Sequence, residues 1–259
     1  MKRNFLLVTL ILITISVRGQ IYFQQDFNSS DNLADYYKKT APSKNQFNDI
    51  KAVGNTTVGI HNHKLRIEKR VKTPENQTNP LVGVSRQTPF EGAPENGPQF
   101  LKFTAEITVS RNPAMDVNDG FAFYFLGLTN LGATGPSAKT RHSYIAIDPR
   151  SKEGDFRIRM NGKTSPTLSG TYTIIAYINN SGNTVNYKAP NNAVMTLVDD
   201  ELDLWTVDKN GTVKLTLSQV PARDPEGSLR NFKIAANPNF TSVLDVDNIL
   251  LAEEPVINK

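Results

Sequence analysis

A two-residue alternation of apolar and polar side chains is the feature that most limits what this chain can fold into. In residues 100–109 every odd position is apolar, and the even positions after the first are Lys, Thr or Glu. A period of two places all apolar side chains on one face of a strand. The same alternation recurs at 65–68, 155–160 and 212–217, whereas 121–126 is apolar on both faces. Many such strands without parallel βα units predict an all-β, antiparallel two-sheet sandwich.

Turn sequences divide the predicted strands. Asn-Asn-Ser-Gly at 179–182 predicts that residues 172–178 and 184–187 form a hairpin, and Asp-Lys-Asn-Gly at 208–211 predicts the same for the strands beside it. In both turns, Gly or Asn supplies the positive φ that a tight hairpin requires.

Few segments depart from the strand pattern. Residues 31–39 predict a helix of about two turns with Ser30 or Asp31 as its cap. The Pro- and Gly-bearing stretches at 73–98 and 129–140 predict long loops.

The first nineteen residues have the composition of a secretory signal peptide. Two basic residues precede an apolar run at 5–15, and Val17-Arg18-Gly19 places small residues where a signal peptidase cuts. The run is shorter than the roughly twenty residues that span a bilayer. We therefore expect a secreted protein, periplasmic or extracellular, with no membrane span after cleavage. No linker divides residues 20–259, which predicts a single jelly-roll domain.

Composition excludes several classes of chemistry. The chain has no cysteine, so disulfides, zinc-cysteine sites and thiol nucleophiles are ruled out. Without the predicted signal peptide, 29 − 3 = 26 basic residues face 25 acidic ones. A net charge of about +1 argues against a nucleic-acid partner. The sequence also lacks a serine-nucleophile elbow and a phosphate-binding loop.

The order of several segments resembles the concanavalin A-like jelly rolls of secreted bacterial proteins. The resemblance covers most of residues 21–252 and rests on five stretches, at 23–27, 120–125, 175–182, 202–205 and 246–250. It implies a curved sheet whose concave face often holds a carbohydrate. Lectins, glycan-binding modules, glycoside hydrolases, polysaccharide lyases and structural modules share this architecture, so the resemblance alone selects none of them.

The strand at 201–205 carries the most suggestive site residues. A period of two places Glu201, Asp203 and Trp205 on one face, which is similar to the Glu-x-Asp-x-Glu strand of retaining jelly-roll glucanases. That mechanism needs two carboxyl groups in fixed roles, and Trp205 stands where the second glutamate would be. The strand is therefore interpreted as sugar-binding or as an ordinary strand with a packed indole.

Three further residues extend the candidate glycan site. Trp205, the only tryptophan, and Tyr177 offer ring faces to a sugar, and burial in the core is the alternative for Trp205. Arg157 and Arg159 project together from one strand and suit the carboxylates or sulfates of an acidic glycan. Solvated edge-strand arginines are the alternative.

An enzymatic alternative comes from His142 and Tyr144. A Tyr and a His could move the proton next to a uronate carboxylate while Arg157 neutralises that carboxylate, as a polysaccharide lyase requires. The primary expectation is a non-catalytic carbohydrate-binding or matrix-associated module. A lyase, a diverged glycoside hydrolase and a structural surface protein without a small ligand are the alternatives.

A structural calcium ion is the one cofactor that the sequence suggests, and Asp residues that only cap strand ends or bind backbone amides are the alternative. Asp26 follows the first predicted strand, and Asp245 and Asp247 lie in the last. Jelly rolls often pair their terminal strands, and carboxylate oxygens are the ligands that calcium prefers. His61 and His63 lack a third ligand nearby and are interpreted as a polar turn.

Overall fold

The computed structural model describes residues 19–52, 56–69, 82–86, 90–95, 97–110, 120–126, 141–236 and 241–257. Apart from Gly19, the predicted signal peptide lies outside these residues, as does the predicted loop at 129–140. Within the described ranges, no helix has the length and apolar character needed to cross a bilayer.

The described residues form a β protein with one short 3-10 helix at Leu33–Tyr36. The strands, in chain order, are β1 Ile21–Gln25, β2 Asp49–Lys51, β3 Thr56–His61, β4 Lys64–Lys69, β5 Val82–Arg86, β6 Phe100–Ser110, β7 Phe121–Leu126, β8 Arg141–Pro149, β9 Asp155–Met160, β10 Lys163–Thr164, β11 Leu168–Ser169, β12 Thr171–Asn179, β13 Val185–Lys188, β14 Val194–Leu197, β15 Glu201–Asp208, β16 Val213–Pro221, β17 Asn231–Ala236 and β18 Ser242–Glu253.

These strands form two large antiparallel sheets and one small hairpin. Sheet A has the order β16-β15-β12-β6-β18-β4-β3, and β1 pairs with the far end of β18. Sheet B has the order β10-β9-β8-β7-β17-β5-β2, and β11 pairs with β9. The third unit is the β13–β14 hairpin. The predicted all-β, antiparallel two-sheet sandwich is confirmed.

The main core lies between sheets A and B. In β6 the odd residues predicted to be apolar all point into it, and Phe103 packs against Phe123 of β7 with ring centroids 5.2 Å apart. Phe156, Ile158 and Met160 of β9 are buried in the same core. Burial of these large side chains is the main source of stability in a chain without disulfides.

The predicted helix at 31–39 is wrong. Only one 3-10 turn forms, capped by Asn32, whose side chain accepts a hydrogen bond from the backbone N–H of Ala34. The chain then becomes extended because residues 36–38 exchange backbone hydrogen bonds with Phe47. This long-range pairing and the burial of Tyr36 take the backbone away from a helix.

Of the two predicted hairpins, one is confirmed and one is wrong. β15 and β16 pair across the turn at 208–211, where Gly211 has φ 81°. By contrast, β12 pairs with β6 and β15, and β13 pairs with β14. The turn at 179–182 leads the chain out of sheet A instead of reversing it within the sheet.

The predicted loop at 73–98 contains strand β5, which pairs with β17 and β2. Gly83 has φ 154°, and a Cβ atom there would lie 1.9 Å from the carbonyl oxygen of Ile234. Only glycine permits this close approach. One of the glycines whose presence predicts a loop here is therefore the residue that lets β5 join the sheet.

Candidate functional site

The outer face of sheet A, which points away from the main core, is closed by the β13–β14 hairpin. Together they bury a second apolar cluster of Phe100, Tyr177, Val185, Tyr187, Ala189, Leu197 and Trp205. The rings of Tyr177 and Tyr187 stack with centroids 4.1 Å apart. Trp205 is 3% exposed and Tyr177 1% exposed. The two rings predicted to stack on sugars therefore pack against the hairpin and present no open face.

Asp203 belongs to the same buried cluster. The Tyr187 hydroxyl donates to Asp203 Oδ2 at 2.6 Å and accepts from Trp205 Nε1 at 3.1 Å. Asp203 Oδ1 accepts from the backbone N–H of Gln219 at 2.8 Å. Burial and the hydrogen bond to Asp203 raise the pKa of Tyr187, so its hydroxyl remains protonated. Glu201, partly exposed at the start of β15, takes no part in these contacts.

The outer face of sheet B is a different surface. Strand register aligns a row of polar and aromatic side chains across five neighbouring strands, in the order Asp49, Ser85, Lys233, Tyr124 and Tyr144. Their chain neighbours Val84, Phe123, Phe125, Ile145, Phe232 and Ile234 all point into the main core. The row therefore lies on the side of sheet B away from that core.

A β-bulge completes this row. Between Phe125 and Leu126 the register shifts, so that Phe125 pairs with Ser143 and Leu126 pairs with Arg141. The guanidinium of Arg141 then lies 5.3 Å from the ring centroid of Tyr124 and 5.2 Å from that of Tyr144. Bulges often redirect side chains in this way. We call Tyr124, Tyr144 and Arg141 the tyrosine–arginine cluster.

Lys233 stands beside the tyrosine–arginine cluster and is 5% exposed. Burial lowers the pKa of Lys233 to about 8, with Lys51 acting in the same direction and Asp49 against it. A buried lysine with a depressed pKa makes this face a candidate functional surface.

The two arginines predicted from β9 share this outer face. Arg159 pairs with Ala146 across the ladder and donates to Asp148 Oδ2 at 3.1 Å. Arg157 is exposed and donates to Thr167 at 3.1 Å. The structure thus separates the predicted residues into two groups. Arg157 and Arg159 lie on the outer face of sheet B, whereas Trp205, Tyr177 and Asp203 lie on the outer face of sheet A.

The predicted partnership of His142 and Tyr144 does not form. His142 is fully buried, with Nδ1 2.6 Å from Ser143 Oγ and Nε2 3.5 Å from Asp200 Oδ1. Burial lowers the pKa of His142 to about 4, against the opposing effect of Asp199. Burial also raises the pKa of Asp200. Tyr144 lies on the outer face of sheet B, away from this pair.

Of the predicted calcium ligands, Asp26 follows β1, whereas Asp245 and Asp247 lie in the part of β18 that precedes its pairing with β1. Asp245 is engaged by Arg66 through two hydrogen bonds of 2.7 and 2.8 Å. Asp247 accepts from the Asn248 backbone, and burial raises its pKa, with Asp26 contributing. Among the described residues, no group of three acidic or histidine side chains is arranged to hold a metal ion. The His61–His63 segment forms the exposed turn between β3 and β4.

Of the residues on the outer face of sheet B, the sequence predicts Tyr144, Arg157 and Arg159 as site residues, but it does not predict Tyr124, Arg141 or Lys233. Tyr124 sat in an apolar run that predicted burial on both faces. Tyr124 is the one residue in that run with a polar group, and its hydroxyl is the available signal. Nothing in the sequence indicates the bulge that redirects Arg141.

Comparison with known proteins supports the fold but does not identify an activity. No protein-family model matches the sequence, and no curated protein matches it. The catalytic domain of the glycoside hydrolase family 131 protein from Coprinopsis cinerea is 10% identical, with a TM-score of 0.50 over 93% of this chain and 98% of that chain. Peanut lectin is 14% identical, with a TM-score of 0.43 over 79% of this chain and 91% of the lectin.

A sialidase is 10% identical, with a TM-score of 0.42 over 79% of this chain, but this chain spans only 16% of the sialidase's length. The likeness to these proteins concerns the fold. The chain has a concanavalin A-like jelly-roll sandwich, as the order of its segments predicted.

Proposed function

We propose that this protein is a secreted, non-catalytic carbohydrate-binding sandwich that holds a glycan on the outer face of sheet B. The observation that carries the proposal is the tyrosine–arginine cluster, in which two partly exposed rings lie 6.4 Å apart on adjacent paired strands. Aromatic faces pack against the C–H side of a sugar ring, while neighbouring charged groups bind its hydroxyls. Strand pairing holds the two rings in place before a ligand arrives, which lowers the entropic cost of binding.

The test is retention of the mature protein on a panel of neutral and acidic polysaccharides, with Tyr144→Ala and Tyr144→Phe as matched variants. Loss of the ring should weaken binding by about 2 kcal/mol, or roughly thirtyfold in Kd. Retention of the ring in Tyr144→Phe should preserve most of the affinity. Trp205 lies in the separate apolar cluster between sheet A and the hairpin, away from the substituted residue. Its fluorescence therefore checks that each variant is folded.

Secretion rests on the predicted signal peptide. Expression of the full chain in a secreting host, followed by mass measurement of the exported protein, should give a product that begins at Gln20. Retention of the uncleaved chain in the cytoplasm would refute this part of the proposal.

Lys233 favours a second candidate function, that of a polysaccharide lyase. A base with a pKa of about 8 accepts a proton readily near that pH. In β-elimination such a base takes the proton next to a uronate carboxylate, a C=C bond forms, and the glycosidic oxygen leaves with a proton from an acid. Tyr124, a neighbour of Lys233 across the ladder, carries a hydroxyl suited to that second role. Unsaturated ends appearing during incubation with polyuronates would replace the non-catalytic proposal with this one.

A further inference from the structure

We infer that the glycan held on the outer face of sheet B is anionic, carrying carboxylate or sulfate groups that are met by Arg141 and Lys233. This inference rests on the proposed function and specifies its substrate class.

The charge of the outer face is the first support. Across β2, β17, β8 and β9, together with Arg150 at the end of β8, six basic residues stand against three acidic ones, a difference of 6 − 3 = +3. The basic residues are Lys51, Arg141, Arg150, Arg157, Arg159 and Lys233, and the acidic ones are Asp49, Asp148 and Asp155. The whole chain without its predicted signal peptide carries only about +1. Positive charge is therefore concentrated on this face.

Two of the three acidic groups of this face lie close to basic residues, and the third, Asp49, acts on Lys233. Asp148, 1% exposed, lies 3.1 Å from Arg159 and 3.5 Å from Arg150. Asp155 lies 3.8 Å from Lys152. None of these contacts involves Arg141 of the tyrosine–arginine cluster.

Arg141 provides the second support. Its guanidinium is held against two rings, and its buried Nε has no hydrogen-bond partner among the described residues. Stacking occupies the face of a guanidinium and leaves its N–H edge for a planar anion. A buried donor without a partner is costly, and an anionic group at this edge supplies the missing acceptor.

Lys233 points to the same chemistry. It is a nearly buried amine whose charged form is disfavoured by its surroundings, because Asp49 offsets burial only in part. A bound anion stabilises the charged form of such an amine, whereas the hydroxyl of a neutral sugar does so far less well. The two cations flank the tyrosine rings, so one sugar stacked on a ring brings its acidic substituent near a positive group.

Three polymers with one backbone test the inference, namely dextran, carboxymethyl-dextran and dextran sulfate. At low salt, we expect the two charged polymers to bind at least ~10-fold more tightly than dextran, and we expect salt to reduce this ratio. Tighter binding of carboxymethyl-dextran alone assigns carboxylates as the anion, and tighter binding of dextran sulfate alone assigns sulfates. Either result supports the inference.

Two variants test whether Lys233 is responsible for the preference for charged polymers. Lys233→Met should lower the ratio of charged to neutral affinity by about tenfold. Lys188→Met is the matched control, since Lys188 is exposed on the hairpin on the opposite side of the sandwich, and it should leave the ratio unchanged. Equal losses in both variants would overturn the inference.

Two further outcomes separate the inference from the proposed function. If dextran and its charged derivatives bind equally and salt has no effect, the glycan site stands and its anionic selectivity is refuted. If neither these polymers nor the wider polysaccharide panel are retained, the proposed function itself fails and the inference falls with it.

Discussion

Replacing Tyr187 with phenylalanine tests whether Asp203 and Trp205 are structural residues. The substitution keeps the ring that stacks on Tyr177 and removes one hydroxyl. That hydroxyl joins Asp203 Oδ2 to Trp205 Nε1, and all three side chains are almost fully buried. Tyr187→Phe therefore leaves one buried acceptor and one buried donor without their partner.

The size of the effect follows from these two contacts. A buried hydrogen bond to a charged group contributes about 1.5–3 kcal/mol, and an unsatisfied buried donor costs about 1–3 kcal/mol. Because the two contacts share one hydroxyl, their losses are not additive, and we expect a total of about 3–4 kcal/mol. Domain stabilities are about 5–15 kcal/mol, so the variant should fold but unfold at a much lower urea concentration.

Tyr177→Phe is the matched control in the same ring stack. Its hydroxyl makes one 3.2 Å hydrogen bond, to the backbone carbonyl of Lys188. Loss of that bond should cost only about 1 kcal/mol. Urea unfolding is followed by the fluorescence of Trp205, the only tryptophan, which reports hairpin docking, and by circular dichroism, which reports the sheets.

Two results would contradict this account. One is a free energy of unfolding for Tyr187→Phe that lies within about 0.5 kcal/mol of the wild-type value, which is the range of ordinary surface substitutions. The other is an equal cost in both variants. Either result would show that the hydroxyl network does not stabilise the hairpin, and Asp203 and Trp205 would again be candidates for binding.

Three further substitutions test the buried groups Lys233 and His142 and the close approach at Gly83. Lys233→Met should raise the free energy of unfolding at pH 7 by about 2–3 kcal/mol, because a folded pKa of about 8 against 10.5 disfavours the charged form; denaturant titrations that show no gain would contradict this. The pKa of His142 is about 4 in the folded protein and 6.5 in the unfolded chain, so the unfolded chain binds the proton first as the pH falls. The free energy of unfolding should therefore fall by up to about 3 kcal/mol between pH 6.5 and pH 4. His142→Asn should reduce this dependence of stability on pH. An unchanged dependence would show that other groups cause it. Gly83→Ala should cost more than about 3 kcal/mol in thermal or urea unfolding, because its Cβ would overlap the Ile234 carbonyl oxygen.

The fold was largely predictable because alternation is a local property. In β6 and β9 each side chain's face follows from its position along the strand, and the core confirms those faces. Pairing partners were harder to predict, since β12 and β13 are close in sequence yet belong to different sheets. A turn signal shows that the chain changes direction but does not specify which strand it meets next.

The candidate site was only partly predictable for the same reason. The period of two correctly separated Tyr177 from the main core, but the sequence could not show that β13 and β14 fold over its other face. Exposure depends on what packs above a residue, and the covering segment can come from elsewhere in the chain. The predicted sugar platform was therefore assigned to the face that the hairpin closes.

The sequence by itself determined that this chain makes antiparallel strands, which faces are apolar, and that no cysteine stabilises the fold. Tertiary structure alone decided that the β13–β14 hairpin covers the outer face of sheet A. It also decided, through one bulge between β7 and β8, that Arg141 lies against Tyr124 and Tyr144. The physical reason is that periodicity is set by each strand's own backbone, whereas register and covering contacts are set by partners that are distant in sequence.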